Sequence, residues 1–404
     1  MTSLQTVGLP NEIFNILHML NDAGFEAYVV GGAVRDHLLG RAHSDFDIAT
    51  AARPDDIHAL FENCADTGAK HGTVTVFCNP YAVEITTFRV DGPYIGHRRP
   101  AQVSFSDSLL ADLARRDFTI NAMAYHPRTG IVDLFGGKED LKNGVIRTVG
   151  NPNVRFLEDA LRMLRAVRFC CTLGFCLAPD TKDAITENST LIQFVSAERI
   201  FAEFHKMLLA PYVERMADAA DTGIFEAVAP GLSRAVYTGV PDLVKRVKGG
   251  SHVKWAAFLH GMDAQAFLSD YKASNKDRRR ILALQRLLDT PLWAKDASDT
   301  LLVKQCLKCL PEESLFDDLI ELKCAFGLLS KSDADMVRAA RGTVWREQQP
   351  YLLRHLAVSG RDLIKLGIRG ASIGKTLDRM LEMVTEHPKM NQADILLNWI
   401  GGQI

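Results

Sequence analysis

The sequence predicts an α+β protein with a small β-sheet and helices at its N-terminus and an all-helical remainder. In the first 150 residues, short runs with β-strand character alternate with helical segments. After Gly150-Asn151-Pro152, alternation of β-branched residues becomes rare, and helical periodicity continues to the end of the chain. A length of 404 residues exceeds what one hydrophobic core usually organises, so we expect several domains.

The N-terminal elements are predicted from local signals. Alternation and β-branched content predict strands over Ala27–Val30, Phe46–Thr50, Thr73–Cys78, Val83–Arg89 and Val145–Val149. Asn79-Pro80 lies between the third and fourth of these runs and predicts a hairpin. The pair Gly31-Gly32 ends the first strand, and a short helix over Ala33–Leu39 is expected to end at Gly40. Helical spacing predicts one further helix over Leu109–Tyr125.

Helical segments separated by glycine and proline fill the rest of the chain. Plausible breaks occur at Gly223, Pro230-Gly231, Gly249-Gly250 and Gly342. We therefore predict an α/β head over residues 1–150, followed by several helical pieces.

Composition excludes some classes of protein. Hydrophobic residues make up 47% of the chain and charged residues 24%, the balance of a soluble globular protein. No apolar run is long enough for a membrane-spanning helix, so no membrane partner is predicted. The first residues lack a basic stretch followed by an apolar block. We therefore expect a cytoplasmic protein whose eight cysteines are reduced thiols.

The charge balance argues against a protein covered on all sides by nucleic acid. Lys plus Arg is 47 and Asp plus Glu is 49, which gives a net charge of −2. A local basic surface is not excluded, because phosphate binding needs clustered charge and not a high total. Residues 272–286 and 245–254 are two such basic clusters, although each also fits a solvated helix face.

Two acidic residues on one predicted strand are the sharpest local signal. Side chains alternate along a strand, so Asp45 and Asp47 share one face while Phe46 and Ile48 lie on the other. Carboxylates about 7 Å apart repel each other unless a cation lies between them, and hard oxygen ligands favour Mg²⁺. Glu84, in the hairpin, is a candidate third carboxylate. A solvated strand edge or a glycosyltransferase would also fit the Asp pair, and an exposed edge position would also fit Glu84.

The turn before the acidic strand resembles a phosphate-binding loop. Glycine at positions 31 and 32 lets backbone amides approach a phosphate closely, and Arg35 lies one turn further on. The same residues also fit a plain strand-to-helix turn. The spacing is neither the dinucleotide GxGxxG pattern nor a Walker loop. A phosphate loop followed within fifteen residues by an acidic strand favours metal-dependent nucleotidyl transfer.

Several ordered motifs resemble one family. The segments GGAVRDHLLG, SDFDIAT, RRDFTINAMA, DLFGG and EDALRMLRAVRF are together similar to the bacterial class II tRNA nucleotidyltransferases, the CCA-adding enzymes. These enzymes share their head with bacterial poly(A) polymerases. The resemblance is dense to about residue 210 and returns over residues 359–384. It implies a polymerase-β-like nucleotidyltransferase head over residues 1–150 that carries the catalytic site and a helical neck over 151–215 that recognises the nucleotide base. It further implies a helical body over 216–340 and a helical, tRNA-binding tail over 341–404.

The resemblance also implies roles for individual residues. Asp45 and Asp47 match the metal-binding aspartates, and Gly32 and Arg35 match positions that contact the triphosphate. Nucleotide contacts are implied for Arg116, for Asp117 at the ribose, and for the neck residues Asp159, Arg162, Arg165 and Arg168. The implied cofactor is Mg²⁺, the substrates are CTP and ATP, and the partner is tRNA. Either a monomer or a homodimer is compatible with the sequence.

The neck segment permits a chemical account of base selection. On one continuous helix Arg155, Glu158, Asp159, Arg162 and Arg165 would share a face, with Arg168 at its edge. Cytosine and adenine both present an amino donor beside a ring-nitrogen acceptor, whereas uracil and guanine present the reverse. A carboxylate beside an arginine, such as Asp159 with Arg162, matches the first pattern and leaves the second unpaired. A solvated stripe of ion pairs would give the same spacing.

Three alternatives to full CCA addition stay open at this point. They are a poly(A) polymerase, an enzyme that adds only CC or only A, and a non-catalytic RNA-binding relative. The intact aspartate pair argues against the last of these. The segment over residues 91–105 resembles the flexible loop that supports the switch from C to A, and its full length argues against a CC-only enzyme. Gly96 departs from the acidic residue common there.

Overall fold

The computed structural model describes residues 9–42, 45–68, 72–92, 94–95, 99–100, 102–292 and 300–401. They form two compact units, Met1–Asp242 and Leu243–Ile404. The finer division into head, neck, body and tail stays a prediction. No helix within the described ranges is long and apolar enough to cross a membrane. Position 96 of the predicted loop lies outside the described residues.

A seven-stranded mixed sheet organises the N-terminal part of the first unit, in the order β11-β10-β1-β2-β5-β4-β3. Strand β2 pairs with β5 in parallel, and the other neighbours in this sheet are antiparallel. The strands of the described chain are β1 Ala27–Val30, β2 Asp47–Thr50, β3 Cys64–Gly68, β4 Thr73–Cys78, β5 Tyr81–Thr87, β6 Arg89–Asp91, β7 Tyr94–Ile95, β8 Arg99–Pro100, β9 Val103–Phe105, β10 Met123–His126, β11 Gly130–Asp133, β12 Val145–Ile146 and β13 Cys176–Leu177.

Helices make up most of the rest of the first unit. They are α1 Asn11–Asp22, α2 Gly32–Leu38, α3 Pro54–Leu60, α4 Leu109–Ala114, α5 Gly137–Asn143, α6 Pro152–Glu158, α7 Leu161–Leu173, α8 Pro179–Asn188, α9 Ala197–Leu209, α10 Ile224–Val228 and α11 Leu232–Tyr237. Short 3₁₀ helices occur at Thr119–Asn121, Ser189–Phe194 and Val213–Thr222.

The second unit is helical throughout its described residues. After α12, Val240–Arg246, which spans the division, it contains α13 Ser251–Phe258, α14 Ala264–Asp270, α15 Asn275–Leu288, α16 Leu301–Cys309, α17 Leu315–Ala325, α18 Lys331–Arg346, α19 Gly360–Lys365, α20 Ala371–Glu386 and α21 Ala393–Gly401, with 3₁₀ helices at Leu353–His355 and Pro388–Met390. Near its C-terminus, buried side chains of α19, α20 and α21 form one apolar cluster that includes Leu363, Met380 and Leu396.

The α+β class and the order of its parts are confirmed. Strand β1 and the β4–β5 hairpin lie where the pattern predicts them. The transition after residue 150 also has a local cause. The Asn151 side chain accepts hydrogen bonds from the backbone N–H groups of Asn153 and Val154, and Pro152 occupies the first helical position, so α6 begins there.

The predicted helix over Leu109–Tyr125 is wrong beyond its first turns. Helix α4 ends at Ala114, and Met123–His126 forms β10 between β1 and β11. Residues 122–124 are fully buried, so no polar side alternates with the apolar one. A short, completely apolar run does not distinguish a buried strand from a helix. The predicted strand over Val145–Val149 is shorter, with Thr148 forming only a bridge to Phe118.

Candidate active site

A cavity of about 490 Å³ opens in the first unit beside the C-terminal end of β1. Its lining includes nine of the eleven residues that the sequence singles out, namely Gly32, Arg35, Asp47, Arg116, Asp117, Asp159, Arg162, Arg165 and Arg168. Gly31, Arg115, Asn121 and Phe169 complete it. Residues more than 130 positions apart in the chain therefore meet at one site, and most of them are charged.

The glycine turn between β1 and α2 keeps the backbone close to this cavity. Gly31 has φ +71°, a left-handed conformation that side chains with a Cβ rarely adopt. A Cβ at this position would lie 3.1 Å from Nη1 of Arg116 and 3.7 Å from Oδ2 of Asp47. Glycine here thus satisfies both the turn and the close approach of an arginine and a carboxylate.

The acidic strand has the predicted alternation. Asp45 and Asp47 are exposed, whereas Phe46 and Ile48 are buried. Strand β2 begins at Asp47, so Asp45 lies just before it. Partial burial of Asp47 raises the pKa of its carboxyl, Arg116 lowers it, and the negative charges of Glu84 and Asp45 raise it again, with a net upward shift. A cation between these carboxylates would remove the repulsion.

Glu84 lies directly beside Asp47. The parallel register of β2 and β5 pairs the two residues, so both side chains project from the same face of the sheet, and both are exposed. Strand β5 is flanked by β4 on its other side, where Glu84 pairs with Thr75. Glu84 is therefore exposed on a sheet face and not at a sheet edge. Within the described ranges, no three acidic, histidine or cysteine side chains are already arranged to hold a metal ion.

Asp112, which sequence reasoning missed, fixes two arginines at the rim. Its carboxylate is fully buried and accepts from Arg115 at 2.6 Å and from Arg116 at 3.0 Å. Burial opposes ionisation of Asp112, but the charges of Arg116 and Arg115 outweigh it and hold its pKa below the ordinary value. The spacing Asp112, Arg115, Arg116 at i, i+3 and i+4 on a predicted helix was the available signal.

Asp117 is the centre of a hydrogen-bond network that crosses the site. Its Oδ2 accepts from both Nε and Nη2 of Arg165, at 2.9 and 2.6 Å, and its Oδ1 accepts from the Asn121 side chain at 3.1 Å. The Asn121 carbonyl oxygen in turn accepts from Nη1 of Arg35 at 2.6 Å. Burial disfavours the Asp117 carboxylate, but Arg165 and Asn121 together lower its pKa to about 2. Asp117 is therefore an anion that holds Arg165 in place, and it does not serve as a proton acceptor near neutral pH.

Phe169 provides an apolar support for three arginines. Its buried ring has the guanidinium of Arg168 at 4.0 Å from the ring centroid, that of Arg35 at 5.3 Å and that of Arg165 at 5.7 Å. Arg168 also pairs with Glu203 of α9 at 2.5 Å. Glu203 is only 4% exposed and lies on the buried face of that helix. An acidic residue on an apolar helix face needs a partner, which was a usable signal.

The expectation of one continuous neck helix is wrong. Helix α6 ends at Glu158, Asp159 has an extended backbone with φ −141°, and α7 begins at Leu161. The break is held by side chains that bind helix-end groups. Nη1 of Arg162 donates to the Arg155 carbonyl at 3.3 Å, and Asp159 accepts from the backbone N–H of Leu161 at 3.2 Å.

Because of this break, Asp159 and Arg162 have separate partners. Both oxygens of Asp159 accept from Arg199 of α9, at 3.2 and 2.8 Å. Arg162 donates to Glu158 at 2.7 Å and to the Arg115 carbonyl at 3.0 Å. Both side chains still line the cavity.

Comparison with known proteins identifies the family of this chain. Residues 27–147 match the family described as Poly A polymerase head domain, and residues 174–236 match the probable RNA and SrmB-binding site of polymerase A. A curated CCA-adding enzyme of Geobacillus sp. (strain WCH70) is 49% identical over 413 residues, covering 95% of both chains. That of Geobacillus kaustophilus (strain HTA426) is 38% identical over 417 residues, covering 96% of both. The chain belongs to the CCA-adding enzyme family.

A solved structure of this family extends the likeness to three dimensions. The crystal structure of Bacillus stearothermophilus CCA-adding enzyme in complex with CTP superposes with a TM-score of 0.81 at 33% identity, covering 97% of this chain and 96% of that one. The predicted family resemblance, the polymerase-type head and the nucleotidyltransferase class are thereby confirmed. The roles of the individual site residues stay predictions.

Proposed function

We propose that this chain adds C, C and A to the 3′ end of tRNA from CTP and ATP, without a nucleic-acid template. The observation that carries this proposal is a cavity whose lining brings together Asp47 of the acidic strand, a cluster of arginines, and the side chains of Asp159 and Arg162. Sequence similarity to CCA-adding enzymes over 95% of the chain, and the structural likeness to one of them in complex with CTP, support the proposal further.

Asp45 and Asp47 are the residues that would hold Mg²⁺, and Glu84 is the third carboxylate beside them. Their fit to a hard cation is supported by the exposure of all three residues and by the pairing of Glu84 with Asp47 across adjacent strands. The pKa of Asp47 is raised, first by desolvation and further by the negative charges of Glu84 and Asp45. We infer two Mg²⁺ ions here, which would supply activation of the tRNA 3′-hydroxyl and neutralisation of the triphosphate oxygens. The hydroxyl oxygen would attack the α-phosphate in line, forming the new phosphodiester bond as the α–β phosphoanhydride bond breaks and pyrophosphate leaves, and positioning would supply most of the catalysis.

The arginines would bind the triphosphate. Arg35, Arg116, Arg165 and Arg168 line the cavity, and backbone amides at Gly32 border it. Their guanidinium groups are already oriented by Asp112, Asp117, Asn121, Glu203 and Phe169. Such preorganisation lowers the entropy that substrate binding would otherwise cost. Asp117 would also lie near the ribose, through the position that it shares with the family.

Asp159 and Arg162 would read the base. In this arrangement Asp159 accepts from the amino group that cytosine and adenine share, and Arg162 donates to the neighbouring ring nitrogen. The carboxylate is held by Arg199 and is 16% exposed, so it is oriented before a base arrives. A wrong base leaves buried donors and acceptors unpaired, which is the strong form of rejection.

The tRNA would lie along basic helix surfaces of the second unit. Arg279 is exposed on α15 and Arg278 is half-buried, whereas Arg280 pairs with Glu312. Contacts with RNA phosphates would make binding depend on salt. A cytoplasmic location fits a tRNA-processing enzyme, and either a monomer or a homodimer is compatible with this proposal.

The decisive test is incubation of the protein with tRNA that lacks its CCA end, and in parallel with tRNA that ends in CC, supplying each labelled nucleotide separately. We expect incorporation of two C residues from CTP, one A after CC from ATP, and none from UTP or GTP. A long A tract from ATP alone would favour the poly(A) polymerase alternative. Arrest after CC, or addition of A only to a CC end, would indicate a partial enzyme, and no incorporation would indicate a non-catalytic relative.

A further inference from the structure

A second cavity, of about 660 Å³, lies wholly within the second unit and has no part in the chemistry above. It is bordered by the C-terminal turn of α18 and the segment that follows. The lining residues are Glu313, Val344, Trp345, Gln348, Gln349, Tyr351 and His355. It is large enough for a nucleoside, and aromatic and polar side chains share its walls.

Trp345 presents an aromatic surface to this cavity. Its side chain is 46% exposed, an unusual state for the largest apolar side chain. The guanidinium of Arg341 lies 4.6 Å from the ring centroid and is itself paired with Asp317 at 2.7 Å. The ring is therefore held in position by a fixed cation while part of its surface stays open. Exposed, fixed aromatic rings are the platforms on which bases of single-stranded nucleic acid stack.

One polar group of the cavity is a buried acceptor without a partner. The side-chain carbonyl oxygen of Gln349 is buried and has no hydrogen-bond partner, although its amide nitrogen donates to Glu347 at 2.8 Å. Glu313 accepts from the buried hydroxyl of Tyr351 at 2.7 Å and keeps further acceptor capacity. A buried acceptor without a donor costs free energy unless a ligand supplies one. A ligand with N–H donors satisfies this requirement.

The backbone at the rim of the cavity is strained. Gln348 has φ +51°, the left-handed region that non-glycine residues seldom occupy. This residue follows the end of α18, where the backbone N–H of Gln349 donates to the Val344 carbonyl at 2.9 Å and turns the chain. The turn places Gln349, whose side-chain oxygen lacks a partner, in the lining of the cavity. Further along the chain, Arg354 is 70% exposed, and its Nη2 lies 3.5 Å from Oε1 of the lining residue Glu313.

We propose that this cavity binds an unpaired nucleobase carrying an exocyclic amino group, stacked on Trp345 and hydrogen-bonded to Gln349. Its source is a base of the RNA substrate, an identification that rests on the proposed function. A free nucleotide offers the same base chemistry, so the experiment below separates the two sources.

The test is the affinity of Trp345→Ala for tRNA lacking its CCA end, measured by fluorescence anisotropy over a range of salt concentrations. Loss of one stacked base should weaken binding roughly 5- to 100-fold. The slope of log K against log salt should not change, because no phosphate contact is lost. Trp345→Phe should retain most of the affinity. Leu366→Ala is the matched control, since Leu366 is 45% exposed in the same unit and does not line the cavity.

Binding experiments with an RNA duplex and with free nucleotides identify the ligand. A blunt RNA duplex of the same length should bind wild type and Trp345→Ala equally, and equal weakening for duplex and tRNA would overturn the proposal. Weaker binding of free CTP or ATP by Trp345→Ala, with tRNA affinity unchanged, would overturn the RNA source and identify a nucleotide pocket. If Trp345→Ala does not fold by thermal denaturation, Gln349→Met replaces it, with an expected loss of about 2- to 10-fold from one hydrogen bond.

These outcomes are separable from the proposed function. Unchanged tRNA affinity in both variants, with normal C and A addition, would overturn the base pocket alone. Intact tRNA binding by a wild-type protein that adds no nucleotide would overturn the proposed function alone. When the rate of addition is measured over a range of tRNA concentrations, Trp345→Ala should have the wild-type kcat and a raised KM for tRNA.

Discussion

Replacement of Asp117 by Asn should destabilise the first unit by an amount that depends on pH. Burial raises the pKa of this carboxyl, but the charge of Arg165 and the hydrogen bonds from Arg165 and Asn121 outweigh burial and lower the pKa from 3.8 to about 2. Lowering this pKa from 3.8 to about 2 stabilises the folded state by about 2 kcal/mol, since a tenfold change in proton affinity is worth about 1.4 kcal/mol. Asp117→Asn removes this charge while keeping the size of the side chain and one acceptor oxygen.

The sign of the pH dependence follows from the direction of the shift. A carboxyl whose folded pKa is lowered stabilises the folded state above its unfolded pKa, and that stabilisation is lost as the pH falls through the folded value. The difference in free energy of unfolding between wild type and Asp117→Asn should therefore be largest at pH 7, decrease below about pH 5, and nearly vanish near pH 2. Chemical denaturation from pH 7 to pH 3, read on the transition of the first unit, measures this difference.

Asp180→Asn is the matched control for this experiment. Asp180 is 51% exposed and pairs with Arg147 only at 3.3 Å, so we expect an effect below about 1 kcal/mol. A destabilisation of Asp117→Asn that is equal at pH 7 and pH 3 would refute the argument from charge. A loss no larger than that of the control would refute the assignment of Asp117 as an anion that fixes Arg165. Because Arg165 lines the cavity, the variant should also raise the KM for CTP.

The remaining predictions concern nucleotide addition and RNA binding. Asp47→Ala should abolish addition while leaving tRNA binding largely intact, and addition near the wild-type rate would exclude the metal assignment. Asp159→Ala should reduce discrimination of CTP against UTP by about 1–3 kcal/mol in a competition assay, whereas an equal loss for every nucleotide would contradict base reading. Joint replacement of Arg278, Arg279 and Arg280 by Ala should flatten the salt dependence of tRNA affinity by roughly 2, since Arg280 already pairs with Glu312, and an unchanged slope would mark this surface as merely solvated.

Local patterns in the sequence determined much of the candidate active site. The alternation Asp45-Phe46-Asp47-Ile48 predicts which side chains are buried, because a strand places successive residues on opposite faces. The Gly31-Gly32 pair predicts the turn, because positive φ is cheap only for glycine. Ordered motifs along the chain were sufficient to indicate the family. Each of these signals lies within a few residues, where backbone geometry controls the outcome.

Only the tertiary structure decided how the charged groups are paired. Periodicity predicted a continuous helix through Asp159, yet Arg199, 40 residues away, holds that side chain where the chain breaks. Asn121 joins Arg35 across 86 residues, and Glu203 holds Arg168 across 35. The physical reason is the cost of burying charge. A buried carboxylate or guanidinium is stable only with a partner, and folding, not sequence spacing, selects which distant side chain supplies it.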